Sequence, residues 1–205
     1  MNSKNLLIVG AGGHTRSLLN IIFEIEHNIL GIIDESFDEN KEENIGNLKI
    51  IGNCTLISNK MNLILSIGDN TKRRDLYEKY ENLVLPNNLI HKSAQIENYV
   101  KIGKANQIFG QVLINSFSQV GSNNIINTKA LIEHESVIGN HNHISVGSII
   151  CGRVVIGDNC FLGAGSVVID KVKICNDVII GANSVVINNV ETSGVYVGNP
   201  AKRIK

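Results

Sequence analysis

From Ile90 to Val186 an aliphatic residue recurs at every sixth position, seventeen times in a single register, with no insertion and no slip. The series starts Ile90, Ile96, Ile102 and ends Ile174, Ile180, Val186. Six is a multiple of the strand period of two and not of the helical 3.6, so an extended backbone turns every one of these side chains the same way. The residue two places earlier shares that face. There the chain mixes short choices, among them Ala94, Asn106, Ser118, Asn124, Ser148 and Cys160, with β-branched ones such as Val100, Val112, Val154 and Val172. Short inward side chains beside large ones suit strands that bend sharply every few residues. The pattern predicts a hexapeptide-repeat parallel β-helix, a solenoid whose coils stack on one another.

Upstream the pattern differs. Leu6 to Val9 is an apolar run, followed at once by Gly10-Ala11-Gly12-Gly13-His14. Leu18, Leu19, Ile21, Ile22 and Ile25 then fall on a helical stripe reaching to about His27, and Ile29 to Ile33 form a second apolar run ending in Asp34-Glu35. Strand, glycine turn, helix and strand make a Rossmann-like βαβ unit. Its helix N-terminus offers N–H groups to phosphate oxygens, and a carboxylate ending the second strand can accept from a sugar hydroxyl or a base N–H. Thr15 stands where G-x-G-x-x-G has its third glycine, and only about 86 residues precede the solenoid, room for one mononucleotide-binding half. A single nucleotide is therefore the economical ligand. Phe37 to Asn47 reads as an acidic solvated loop, Ile50 to Gly52 as a short strand, Leu63 to Ile67 as a buried strand ending in Gly68-Asp69-Asn70, Thr71 to Tyr80 as a charged surface helix, and Leu83 to Leu85 as a last strand. In an open parallel sheet the loops at Gly10, Asp34 and Gly68 converge on one crevice. His14 is read either as part of that crevice or as a plain turn residue. After Val190 the repeat stops and an irregular tail follows. The expected organisation is 1–86 as a Rossmann-like α/β domain, 87–190 as an all-β β-helix, and 191–205 as a C-terminal tail.

Composition narrows the function classes. With 19 basic and 19 acidic residues in 205 the net charge is zero, which argues against nucleic acid. No stretch of about 18 apolar residues and no leader pattern occurs, so no membrane association and a cytoplasmic location are expected. Aromatic residues at 4% fit a narrow solenoid interior. Cys54, Cys151, Cys160 and Cys175 form no CxxC pair and are read as buried reduced thiols, with no metal.

The candidate chemistry lies in the solenoid, where Glu133-His134-Glu135 is closely followed by His141 and His143. An isolated histidine on a solenoid face is ordinarily solvated. One flanked by carboxylates is a way to build a general base, because the carboxylate fixes the tautomer and raises basicity. Further ligands at metal-binding spacing are not evident, and no Gly-x-Ser-x-Gly nucleophile motif appears. A base without a nucleophile suits direct attack of an amine or hydroxyl on an activated acyl donor.

At these residues the sequence resembles the hexapeptide-repeat acyltransferases, in particular the sugar acetyltransferases with a small βαβ domain in front. That subfamily includes nucleotide-linked 4-amino-sugar N-acetyltransferases and sialic acid O-acetyltransferase-like proteins. The resemblance spans the chain. It rests on Val9-Gly10-Ala11-Gly12-Gly13-His14, Ile33-Asp34, Ser66-Ile67-Gly68-Asp69-Asn70, Ile90-His91-Lys92-Ser93-Ala94, Ile132 to Gly139, and Gly198-Asn199-Pro200-Ala201-Lys202. It implies a left-handed β-helix, a homotrimer with active sites at subunit interfaces, and acetyl-CoA as co-substrate. It also implies His134 as general base with Glu135 as its partner, His143 near the thioester, and Ala164 and Ala182 on the pantetheine arm, with the tail segment near the nucleotide end of coenzyme A. Gly12, Gly13, His14, Asp34 and Gly68 match a nucleotide-sugar site. Thr15 and Glu35 depart from the commoner residues of relatives.

The expected reaction is acetyl transfer to the 4-amino group of a UDP- or dTDP-linked amino-deoxysugar, for surface glycan biosynthesis. O-acetylation of sialic acid or a related sugar is the alternative, and a non-catalytic solenoid module ranks last.

Overall fold

The computed structural model describes residues 5–24 and 27–205, which divide into two compact units, 1–86 and 87–205. In the first, β1 (Asn5–Val9) leads through the glycine turn into α1 (Gly13–Ile22) and then β2 (Ile29–Ile33). A short strand β3 (Asn44–Ile45) forms a hairpin with β4 (Leu48–Gly52), after which β5 (Met61–Leu65) precedes α2 (Asn70–Lys79). The sheet order is β3-β4-β2-β1-β5, with β2, β1 and β5 parallel, so the carboxyl ends of the two central strands open beside each other. Leu6, Leu7, Ile8, Leu18, Ile22, Ile32, Ile33 and Leu63 are fully buried, the helix stripe meeting the sheet as its spacing requires.

Three readings of this unit change. The helix ends at Ile22, short of His27, and Ile25 lies outside the described residues. The stretch 37–47 is not all loop: Ile45 is 3% exposed and pairs with Leu48 around a turn at Gly46, whose φ of +61° a glycine adopts freely. Leu83 to Leu85 contributes only an isolated bridge, Leu63 to Val84, beside β5.

In the second unit two-residue strands form three parallel sheets, and partners stand eighteen residues apart, as Leu113 does from Leu131. It is a left-handed β-helix of three hexads per coil. From Ile108 to Val186 every hexad residue is at most 4% exposed. Ile90, by contrast, is 39% exposed, because the first coil has a stacked neighbour on one side only. Each corner is made by a residue in the left-handed region: Tyr99, Ala105, Gln111, Phe117, Asn123, Lys129, Glu135 and His141 all have φ between +56° and +65°. A left-handed non-glycine residue costs on the order of 1 kcal/mol, a cost carried by the coil-to-coil ladders and the core.

The inward Asn residues form a second, polar ladder. Asn124 Oδ1 accepts from the Asn142 N–H at 2.8 Å, while Asn124 Nδ2 donates to Asn106 Oδ1 at 3.0 Å and to the Gly139 carbonyl at 2.9 Å. Cys160 ends this column: its N–H donates to Asn142 Oδ1, and burial pushes its thiol up to about 12. Cys54, Cys151 and Cys175 are only partly buried, unlike the reading of four buried thiols. The tail is not irregular either. Gly194–Val197 pairs in parallel with Val178–Ile180, and Lys202–Arg203 returns antiparallel. Its partner spacing is sixteen (Val178 with Gly194), not eighteen, which is why the hexad stops.

Candidate functional site

The crevice of the first unit has a volume of 590 Å³, within the range of small-molecule sites. Gly12, Gly13, His14, Asp34 and Gly68, the residues picked from sequence, all line it. The glycines differ in what they do. A Cβ on Gly10 would stand 2.7 Å from the Ser66 carbonyl oxygen, and its φ is +108°, so that glycine is needed by the fold. Gly12 and Gly13 have neither constraint: a Cβ on either meets nothing within 4 Å. Gly12 is the N-cap and Gly13 the first helical residue, so neither carries the cost of a mid-helix glycine, and together they leave open space at a helix N-terminus with no side-chain cap. Thr15 is buried and donates its hydroxyl to the Gly10 carbonyl at 2.6 Å, tying the turn that a third glycine would otherwise pack.

Asp34 does something the sequence did not disclose. Its Oδ2 accepts from the Ala11 N–H at 2.7 Å, and its Oδ1 from the Ser36 N–H at 2.9 Å and hydroxyl at 2.6 Å. Burial alone would raise this carboxyl, but the Ser36 and Ala11 hydrogen bonds and the charge of Lys72 outweigh it, and the pKa lies below the ordinary value. Asp34 thus clamps the glycine turn to the end of β2 as well as facing the crevice.

Lys72, Leu76 and Lys79, on one face of α2, also line the crevice, so the helix read as surface has a crevice-facing side. Their i, i+4, i+7 spacing was visible, but nothing in it told the crevice side from the solvent side. Asp69 caps the helix, accepting from the Lys72 N–H at 2.8 Å. Arg73 is fully buried and donates to the Ile67 carbonyl at 3.0 Å and to Asn70 Oδ1 at 2.9 Å, holding the loop at Gly68. Burial pushes its guanidinium down to about 9.

In the second unit the Glu133-His134-Glu135 cluster sorts itself. Glu133 Oε2 accepts from Asn115 Nδ2 at 2.8 Å, a coil-to-coil tie. Glu135 Oε2 stands 3.0 Å from His134 Nδ1. A carboxylate only accepts, so the neutral tautomer this contact fits has its proton on Nδ1 and its lone pair on Nε2. The two side chains are 45% and 56% exposed, on an open corner where a surface ion pair adds little stability. The left-handed φ of Glu135 is the property of every corner and marks no special strain.

His143 is not beside His134. It lies in a different sheet of the coil, is 8% exposed, faces Asn127 Nδ2 at 3.2 Å through Nε2, and sets its ring edge-on to Phe161 at 5.1 Å. His141 is likewise engaged, Nδ1 lying 2.8 Å from Asn123 Nδ2. Ala164 and Ala182 stack in adjacent coils on a further corner, both exposed; the Asn183 N–H donates to the Ala164 carbonyl at 2.9 Å. Among the described residues no group of three or more His, Cys, Asp or Glu side chains is placed to hold a metal, and no helix is long and apolar enough to cross a membrane.

Residues 5–80 match the PglD N-terminal domain, and residues 135–170 and 153–188 match the bacterial transferase hexapeptide (six repeats). No curated protein sequence matches the chain. Among solved structures, PerB from Caulobacter crescentus, in complex with CoA and GDP-perosamine, superposes with a TM-score of 0.89 at 28% identity, over 98% of this chain and 97% of that one. The acetyltransferase domain of PglB from Neisseria gonorrhoeae, in complex with acetyl coenzyme A, gives 0.86 at 23% identity over 99% and 100%. WeeI from Acinetobacter baumannii gives 0.63 at 16% identity over 97% and 99%; these last two speak to the fold alone. A glycine-turn α/β unit matching the PglD N-terminal domain, followed by bacterial transferase hexapeptide repeats wound into eighteen-residue coils, is the organisation this chain shares with PerB over nearly its whole length.

Proposed function

We propose that the chain transfers an acetyl group from acetyl-CoA to the amino group of a nucleotide-linked amino sugar. PerB, alike over nearly its whole length, is bound to CoA and GDP-perosamine, and it supplies the reaction class. The observation that carries the reading in this chain is the pair of bare glycines, Gly12 and Gly13, opening an uncapped helix N-terminus onto a 590 Å³ crevice. That is an arrangement for phosphate oxygens, with Lys72 and Lys79 supplying positive charge in a lining that also carries Asp34, Glu35, Asp69 and Asp75.

In the chemistry proposed, the sugar amine attacks the thioester carbonyl and forms a C–N bond. His134 Nε2 takes the proton released from nitrogen, and Glu135 holds the imidazole through Nδ1. The tetrahedral intermediate collapses by breaking the C–S bond, and the thiolate leaves as the free thiol with the proton from His134. His143, Ala164 and Ala182 are assigned to coenzyme A on the strength of the family resemblance. The open corner at His134 and the separate sheet carrying His143 favour a site completed by a neighbouring subunit. An outward column of Leu113, Leu131, Ile149, Val167 and Val185 on one sheet is a fitting surface for a trimer.

The 4-amino position and a UDP or dTDP carrier are the finer reading; a GDP carrier is the competitor that PerB raises. The test follows thiol release from acetyl-CoA with UDP-, dTDP- and GDP-linked 4-amino sugars and with free sialic acid. Turnover of a nucleotide-linked amine supports the reading. Turnover of sialic acid alone replaces it by O-acetylation, under which the crevice has no evident occupant.

A further inference from the structure

The corner above His134 holds a glycine whose purpose the fold does not explain. Gly152 lies eighteen residues after His134, one coil on, and is buried. Other solenoid glycines are demanded by backbone packing: a Cβ on Gly121 would stand 2.5 Å from the Gly139 carbonyl oxygen, and one on Gly163 would stand 2.5 Å from the Ala182 nitrogen. Gly147 and Gly165 sit at corners with φ of +64° and +67°. Gly152 has neither reason. Its φ is not left-handed, and the atoms nearest to a Cβ there are all side-chain atoms: His134 Cε1 and Nε2, each at 2.8 Å, and Asp170 Oδ1 at 3.1 Å.

We infer that Gly152 is a positioning residue for the imidazole of His134, its missing side chain leaving the floor on which the ring lies. This rests on the reading of His134 as the base. Carbon atoms settle at about 3.5–4.0 Å, so a methyl at 2.8 Å would force a displacement of roughly 0.7 Å or more. Asp170, tied to Arg153 through both oxygens at 3.0 Å, is the less crowded of the two, its Oδ1 standing 3.1 Å from the methyl against 2.8 Å for the ring atoms. The ring therefore takes the larger push, and the atoms pushed are Cε1 and Nε2, the edge that takes the proton. Glu135 holds the opposite edge at 3.0 Å, so the displacement pivots Nε2 away from its line.

The test is Gly152→Ala, which keeps the backbone N–H and adds only the methyl. Turnover is expected to fall about 10- to 100-fold, the loss that misplacing a reacting group by about 1 Å produces, with the KM for both substrates and the unfolding temperature little changed. The decisive arm repeats the substitution in a His134→Ala background, with residual turnover followed at high enzyme concentration. If Gly152 acts through the ring, the second substitution costs nothing further there. An equal loss in both backgrounds would overturn the inference while leaving the base intact, whereas undiminished turnover of His134→Ala alone would remove the base itself. A readout independent of activity is the His134 Cε1–H resonance, assigned by its disappearance in His134→Ala. It should move in Gly152→Ala, and an unmoved signal contradicts the inference.

Discussion

The two units meet a ligand in opposite ways. The crevice of the first is built by one chain: loops from β1, β2 and β5 and one face of α2 enclose it, and Asp34 and Arg73 brace its walls from within. The His134–Glu135 pair of the second stands on a corner, about half exposed. A carboxylate partner there adds little stability, since exposed ion pairs contribute roughly 0–1 kcal/mol. The contrast separates recognition from chemistry. On the proposed function the crevice binds by itself, whereas the corner offers a base that waits for both reactants, and for a second surface, to be brought to it.

The largest effect that can break this division is on assembly. Ile149 lies mid-column on an outward sheet face at 37% exposure. If the proposed trimer forms through this column, Ile149→Lys should disperse it, measured by light scattering, and lower turnover by roughly 100-fold or more, while nucleotide binding in the crevice persists. Full activity as a monomer would mean that one chain holds the whole site.

Asp34→Ala tests the other side. It frees the Ala11 and Ser36 donors and loosens the glycine turn, so the KM for the nucleotide sugar should rise about tenfold with kcat nearly kept. pH should act in the same direction. Because the Asp34 pKa is lowered by folding, its hold on the turn is complete above the ordinary aspartate pKa near 4 and is lost as pH falls through the lowered value. Nucleotide affinity measured by calorimetry should weaken on acidification in the native chain and follow a flatter curve in Asp34→Ala.

A smaller effect concerns stability alone. Asn124→Ala leaves the buried Asn142 N–H and the Gly139 carbonyl without their partners and should cost about 2–3 kcal/mol in denaturant unfolding, with the crevice untouched. A loss confined to the solenoid sharpens the view of two separately built units.

Much of this was legible in the sequence for a physical reason. A core one side chain wide admits only one periodicity, so the hexad from Ile90 to Val186 declares the solenoid outright. Glycines between an apolar run and an amphipathic stripe likewise declare the βαβ turn, and the five crevice residues named from that turn, the next strand end, the Gly68 loop and the family resemblance all line the cavity. Three-dimensional neighbours were not legible where the spacing changes or the partner is a backbone group. The tail strand escaped because its pairing offset is sixteen. The clamp made by Asp34 escaped because its partners are main-chain N–H groups and a nearby Ser36 hydroxyl. Ile45 escaped because a two-residue strand has no period to detect. His134 and His143, nine residues apart, looked like one cluster, yet a coil of eighteen sends residues half a turn apart to different faces. The same count of eighteen joins His134 to Gly152, a pairing that becomes visible once the coil length is known.

The most direct measurement of the central claim is a pair of readouts on His134→Ala: calorimetric binding of the nucleotide-linked amino sugar, and acetyl transfer followed by thiol release. Binding is expected unchanged within about twofold and transfer reduced by roughly 100-fold or more. Binding lost together with transfer would show that corner and crevice are not separate in function, and transfer left intact would show that the proton goes elsewhere.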